Sequence, residues 1–172
     1  MYNVLMPIDA SEKRAVAQTE AVREMPGASE EIRVHLLHVF DDRDSAESTT
    51  VTQIVGGKIA HERLSEAGID VELVGRYGDP AEEILRAAED ADADRILLGG
   101  RKRSPLGSLL FGSVTQAVML DTDRPVVVTG GVEETDEPSH RCASCGEEYF
   151  TDPSTEIDTC RKCGGTKIER LE

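Results

Sequence analysis

Apolar and polar positions along the first 129 residues alternate between a strand-like and a helix-like period. Tyr2–Pro7 (YNVLMP), Ile32–Phe40 (IRVHLLHVF), residues 71–74, Arg95–Leu98 and Val126–Val128 are short apolar runs, which predict strands. Between them lie four segments of helical character. Residues 13–25 follow Ser11 as a helix N-cap and stop at Pro26-Gly27. Residues 50–67 are closed by Gly68 just past their end. A third helix begins with Asp79 as cap and Pro80 at its first position and runs to about Asp90. The fourth covers residues 113–120. Strands alternating with helices in this way predict an α/β fold, an open five-stranded parallel sheet with helices on both faces.

In such sheets a ligand sits beyond the carboxyl ends of the strands, where the strand order reverses. If the first and fourth strands are neighbours, Pro7 and Asp9 face Gly99 and Gly112-Ser113 across one crevice. The segment from Gly99 to Val128 carries the strongest chemical signal of the chain. It runs from an apolar strand through a glycine-rich loop with Arg101, Lys102 and Arg103 into a helix opening at Gly112-Ser113. Glycines let backbone approach phosphate oxygens, and the N–H groups of a first helical turn point at an anion. Arg101 and Arg103 either pair with phosphate or are solvated loop charges. The stretch GSLLFGS, residues 107–113, has the glycine spacing of a Walker loop but lacks the lysine between Gly112 and Ser113, so a P-loop NTPase is rejected.

Catalytic constellations are thin. Asp9 can accept a hydrogen bond from a ribose hydroxyl or serve the N-terminus of the first helix. His35 and His38, three apart in one strand, fall on opposite sheet faces and do not form a pair. Nothing resembles a nucleophile with a positioned base. The expectation is a binding protein rather than an enzyme, with a slow nucleotide hydrolase or phosphotransferase left open.

Residues 130–139 (GGVEETDEPS) have almost nothing to bury and are expected to be a linker. The tail, residues 140–172, carries all four cysteines as two CxxC pairs, Cys142/Cys145 and Cys160/Cys163, with fourteen residues between the pairs. That spacing predicts a zinc ribbon with four thiolate ligands. Gly146 and Gly164-Gly165 suit knuckle turns, and residues 148–151 and 156–158 are expected to pair as a hairpin. A tail this short cannot bury a sufficient core, so Zn2+ would contribute its folding free energy. His140 is a weaker ligand candidate, because four thiolates complete a tetrahedron.

Charge changes the picture of the partners. The chain of 172 residues has 34 acidic and 19 basic residues, a formal net charge of −15, with arginine far outnumbering lysine. Such an acidic surface suits a salt-rich cytoplasm and disfavours nucleic acid, whose binding depends on cations meeting phosphates. The tail has five Lys/Arg against seven Asp/Glu, so it lacks a basic footprint too, and a protein partner or simple stabilisation is favoured there. No apolar run approaches a membrane span, and MYNVLMPIDAS has no signal-peptide pattern, which predicts a soluble cytoplasmic protein.

Residues 1–129 resemble the universal stress protein (UspA-like) family. The family signature is Gly, two residues, Gly, nine residues, then Gly-Ser or Gly-Thr. Gly99 takes its first place and Gly112-Ser113 its last, while Lys102 occupies the position of the middle glycine. The resemblance implies a Rossmann-like, adenine-nucleotide alpha hydrolase-like domain over residues 1–129. It further implies ATP or AMP held through Gly99, Gly112 and Ser113 on the phosphate side and Pro7, Asp9, Val39 and Leu98 around adenine and ribose. Lys102, where the signature has glycine, is expected to offer the phosphates a side-chain cation instead. A homodimer through the last strand, residues 126–129, and a role as stress sensor or adaptor follow from the same resemblance. Lys102 keeps a nucleotide-independent interaction protein open as the alternative.

Overall fold

The computed structural model describes residues 1–102, 111–130, 132–133, 140–149, 157–160 and 162–171. The chain divides into two compact units, Met1–Glu133 and Glu134–Glu172.

The first unit runs β1 (Tyr2–Pro7), α1 (Glu12–Arg23), α2 (Ala28–Glu31), β2 (Ile32–Phe40), α3 (Arg43–Ser48), α4 (Val55–Glu66), β3 (Asp70–Tyr77), α5 (Pro80–Asp90), β4 (Arg95–Leu98), β5 (Arg101–Lys102), α6 (Ser113–Asp121), β6 (Val126–Val128) and β7 (Val132–Glu133). Five strands form one parallel sheet in the order β3-β2-β1-β4-β6. The chain therefore winds outward from β1 through β2 to β3, then crosses back to lay β4 against the other side of β1. The expected five-stranded parallel sheet is present, and the order reverses between β1 and β4.

β1 is sealed on both faces, with Val4, Leu5 and Met6 fully buried. Val4 and Met6 join Ala15, Val22, Ala60 and Leu64 in a core under α1 and α4. Leu5 points to the opposite face and joins Leu37, Ile84, Ala87, Ile96 and Val118 under α5 and α6. Alternate residues thus enter opposite cores, which is why the strand is a continuous apolar run.

Several boundaries differ from expectation. The predicted helix over 50–67 is two elements: a single 3-10 turn, Val51–Gln53, and α4, with Ile54 extended between them (φ −82°, ψ 135°). Close backbone packing accounts for the break. A Cβ on Gly56 would lie 2.0 Å from the Asp9 carbonyl oxygen, and one on Gly57 would lie 2.0 Å from that of Val51. The helix start is therefore set by where two glycines can press against neighbouring backbone. The third strand extends beyond 71–74 to Asp70–Tyr77, because its register with β2 continues to the pair Phe40–Tyr77. Short α2 and α3 carry too little apolar pattern to be seen in sequence. Residues 132–133, expected to be linker, pair as β7 with β5 and belong to the first unit.

In the second unit β8 (His140–Cys142) is the middle of a three-stranded antiparallel sheet, with β10 (Ile168–Arg170) on one side and β9 (Glu148–Tyr149) on the other. The expected hairpin is corrected accordingly. Glu148 and Tyr149 pair with Arg141 and His140, and residues 157–158 are not strand. The rest of the predicted second arm, and residues 150–151, lie outside the described residues. Among the described residues no helix is long and apolar enough to cross a membrane.

Candidate functional site: a crevice at the strand switch point and a four-cysteine cluster

β1 and β4 pair only through Val4–Arg95 and Leu5–Ile96, then diverge. Ile8 N–H donates to the Leu37 carbonyl on the β2 side, so the Pro7 carbonyl, one residue earlier, faces the gap. Thr129 N–H donates to the Leu98 carbonyl on the β6 side, so the Leu97 carbonyl faces the gap from the other strand. The Gln18 side chain of α1 fills it. Its Nε2 donates to Pro7 O at 2.8 Å and to Leu97 O at 3.1 Å.

Above that bridge opens a cavity of about 690 Å3. Its walls are the ends of β1 (Pro7, Ile8, Asp9), β2 (Leu37, His38, Val39) and β4 (Leu98, Gly99, Gly100), together with Arg14 of α1, Pro80 and Ile84 of α5, and residues 111–115. Volume and mixed apolar and polar lining suit a small-molecule ligand. Of the residues singled out in sequence, Pro7, Asp9, Val39, Leu98, Gly99, Gly112 and Ser113 all line this cavity. Lys102 is placed on β5, but its side chain and that of Arg101 lie outside the described residues, as does Arg103.

The two signature glycines differ in role. A Cβ on Gly99 would lie 3.1 Å from both Arg14 Cδ and Gln18 Oε1, so the space above it is taken by α1. Beyond its chain neighbours, Gly112 has nothing among the described residues within 4 Å of such a Cβ. It is the N-cap of α6, in extended conformation (φ −65°, ψ 162°) and without a side-chain cap bond. Ser113, Val114 and Thr115 of the first α6 turn line the cavity behind a residue that presents no side chain, an arrangement compatible with anion binding at a helix N-terminus.

Asp9 is drawn into an ion pair. Arg14 Nη2 donates to Asp9 Oδ2 at 2.6 Å, and Arg14 Nε lies 3.0 and 3.2 Å from the two carboxylate oxygens. Ser11 N–H also donates to Asp9 Oδ1 at 2.9 Å, and the Ser11 hydroxyl accepts from Arg14 N–H at 3.3 Å as the α1 cap. Both sequence roles of Asp9, toward a ligand and toward the helix start, are therefore geometrically open to it. Sequence alone does not single out Arg14 or His38 as crevice residues. Arg14 resembles any helix-surface arginine, and only the fold brings it back onto Asp9. His38 Nδ1 donates to Ile8 O at 2.9 Å, with its ring edge-on to Phe40 at 4.6 Å. His35 faces the other side, with Nδ1 3.2 Å from Glu72 Oε2.

In the second unit the four cysteine sulfurs lie within 4.8 Å of one another. Cys142 and Cys163 are 3.7 Å apart and Cys145 and Cys160 3.6 Å. Bonds of about 2.3 Å to a tetrahedral ion require sulfur separations of roughly 3.8 Å, so the spacing fits zinc. Backbone N–H groups of Lys162 and Gly165 approach the sulfurs of Cys160 and Cys163 at 3.4 Å. Gly146 and Gly164 adopt φ 73° and 72°, the left-handed turns that suit glycine. Thiol acidities diverge within the cluster. Burial opposes the Cys142 thiolate, but N–H groups of Ser144 and Cys145 outweigh it and hold the pKa below its ordinary value. The Glu147 N–H favours a Cys145 thiolate, yet desolvation and the neighbouring sulfurs of Cys163, Cys160 and Cys142 push that pKa up to about 12. All four could be thiolates at this spacing only with a cation among them. His140 is buried on β8 outside this ligand set.

The sequence model of the universal stress protein family matches residues 1–130. A universal stress protein of Methanocaldococcus jannaschii is 28% identical over 155 residues, covering 74% of this chain and 94% of that one. Its structure superposes with a TM-score of 0.55. A universal stress protein of Mycolicibacterium smegmatis is 38% identical over 65 residues, which span 37% of this chain and half (50%) of the relative. A universal stress protein crystallised with cAMP shares the fold at 20% identity, with a TM-score of 0.59 over 76% of this chain and 98% of that one.

Proposed function

The chain belongs to the universal stress protein family, and from that premise we propose that its crevice binds an adenine nucleotide, ATP or AMP, with little or no turnover. One observation carries the reading: the first turn of α6 lines the switch-point cavity behind Gly112, and beyond its chain neighbours no atom of the described residues lies within 4 Å of a would-be Cβ there. Leu98, Val39 and Ile84 supply an apolar wall for a base, and Asp9 an acceptor for a ribose hydroxyl. Solved proteins of this fold carry cAMP, dAMP or AMP in their own structures. The described lining residues favour holding a ligand over transforming it, since they pair no nucleophile with a base. Nucleotide occupancy would then report a cytoplasmic condition to a partner, the sensor or adaptor role. The edge strand β6 is the surface offered for a second copy.

Cys142, Cys145, Cys160 and Cys163 would hold a structural Zn2+, which supplies folding free energy to a unit with too little core of its own. Adaptor function independent of nucleotide is the second reading, favoured by Lys102 at the position of the middle signature glycine.

The test is to purify the chain in concentrated KCl, identify co-purified nucleotide and zinc on one sample, then titrate ATP while following the unfolding midpoint. A midpoint that rises with ATP, and no longer does so in Gly112→Val, is expected. A flat midpoint with no nucleotide in the purified protein refutes the binding reading and leaves the adaptor.

A further inference from the structure

Asp9 and Arg14 are the residues of opposite formal charge among the described residues lining the crevice. An aspartate there is a liability for a site meant to take phosphate, in a chain already at −15. We propose that Arg14 is the specificity-determining residue for ligand charge. As a built-in counter-ion it cancels Asp9 and so admits a phosphorylated ligand in preference to the neutral nucleoside. This inference rests on the nucleotide reading of the same crevice.

Three observations support it. First, Arg14 takes Asp9 through both Nε and Nη2, the closest contact being 2.6 Å, a charge-assisted forked contact. Second, its side chain is only 10% exposed while that of Asp9 is 44% exposed. The anion is thus presented to the cavity, and the cation sits behind it against Gly99. Third, Arg14 occupies the first turn of α1. A cation near a helix N-terminus opposes the helix dipole, and an ion pair with one buried and one exposed partner is weak evidence for stability in any case. Helix stability therefore does not account for arginine at this position, whereas cancellation of the crevice charge does. Asp9 is kept because its oxygen still serves as an acceptor, and Arg14 removes the electrostatic penalty of keeping it.

Two ligands that differ only in phosphate separate this role from a structural one. Binding of ATP and of adenosine to the zinc-loaded full chain is measured by calorimetry for wild type, Arg14→Ala, Arg14→Lys, Asp9→Asn and the double variant Asp9→Asn/Arg14→Ala. Far-UV circular dichroism on each variant establishes that it is folded. The quantity compared is the ratio of the two affinities, which cancels changes in pocket shape or ribose contact common to both ligands. Arg14→Ala is expected to lower the ATP-to-adenosine ratio at least tenfold at about 0.1 M salt, where screening extends over about 10 Å. The loss should shrink in about 1 M salt, where that distance falls to about 3 Å. Arg14→Lys retains the ratio because it retains the charge. In the double variant the ratio returns toward wild type, since no carboxylate is left to neutralise.

An Arg14→Ala variant that weakens ATP and adenosine by the same factor overturns the proposal but leaves the nucleotide reading intact. So does a double variant whose ratio stays as low as that of Arg14→Ala. A wild-type chain that binds neither ligand overturns both.

Discussion

The Gln18 amide that bridges the diverging strands is the interaction whose loss the structure defines most sharply. Replacing it with leucine keeps the volume close and removes both donors. Pro7 O and Leu97 O then lose the N–H at 2.8 and 3.1 Å, and neither has a strand partner across the gap. A buried acceptor left without a donor costs about 1–3 kcal/mol, so two cost roughly 2–6 kcal/mol. Gln18 is 2% exposed, and leucine there recovers part of that through apolar burial, on the order of 1–2 kcal/mol. The Pro7 carbonyl borders the open crevice, and water reaching it keeps its share at the low end. A net loss of about 2–3 kcal/mol follows, which lowers the melting midpoint of a unit this size by roughly 6–12 °C. The assay is thermal and urea unfolding of the full chain followed by helix ellipticity, which reports on the first unit because every described helix belongs to it. Gln18→Glu sharpens the test. At neutral pH its carboxylate faces two carbonyl oxygens and should cost more than leucine, and acidification should recover part of the loss as the protonated acid regains one donor. A Gln18→Leu variant within about 0.5 kcal/mol of wild type would refute the argument, because solvent would then satisfy both carbonyls as well as the amide does.

Three further outcomes follow from the same geometry. Gly56→Ala drives a Cβ to 2.0 Å from the Asp9 carbonyl and should destabilise by at least about 3 kcal/mol or prevent folding. Gly130→Ala, with nothing among the described residues beyond its chain neighbours within 4 Å, is the control and should leave the urea midpoint unchanged. Cys145→Ser removes one of four clustered sulfurs and should reduce bound zinc from one per chain to well below it, read by elemental analysis after dialysis. Asp42 caps α3, and the Ser45 N–H, then the Ser45 hydroxyl, hold its carboxyl below the ordinary carboxylate value. A folded-state pKa below the unfolded one stabilises above the ordinary range and loses that contribution as pH falls through it. Asp42→Asn, whose cap does not titrate, should therefore show a shallower loss of stability on acidification, measured as the urea midpoint against pH.

Elements and the cysteine cluster are legible along the chain because both are local. Alternating apolar runs mark β1, β2, β4 and β6. Ser11 and Asp79 mark the starts of α1 and α5, since a cap needs only the next three residues. Cys142, Cys145, Cys160 and Cys163 stand out because a CxxC turn brings two sulfurs together by backbone geometry alone. The glycine pattern Gly99 to Gly112-Ser113 marks the crevice loop for the same reason.

What each of those glycines does emerges only from packing. Gly99 is covered by Arg14 and Gln18, whereas Gly112 stands open to the cavity, and no spacing distinguishes the two. Gly56 and Gly57 look like ordinary helix residues until the Asp9 and Val51 carbonyls are brought against them. Arg14, His38 and Gln18 gain their meaning from the crossing between β3 and β4, which splits β1 from β4 and points two carbonyls into the gap. Partners there are as much as 79 residues apart in the chain, as Gln18 and Leu97 are. Contacts at such separation leave no periodic trace, because they are selected by where packed strands diverge rather than by what neighbours each residue in sequence.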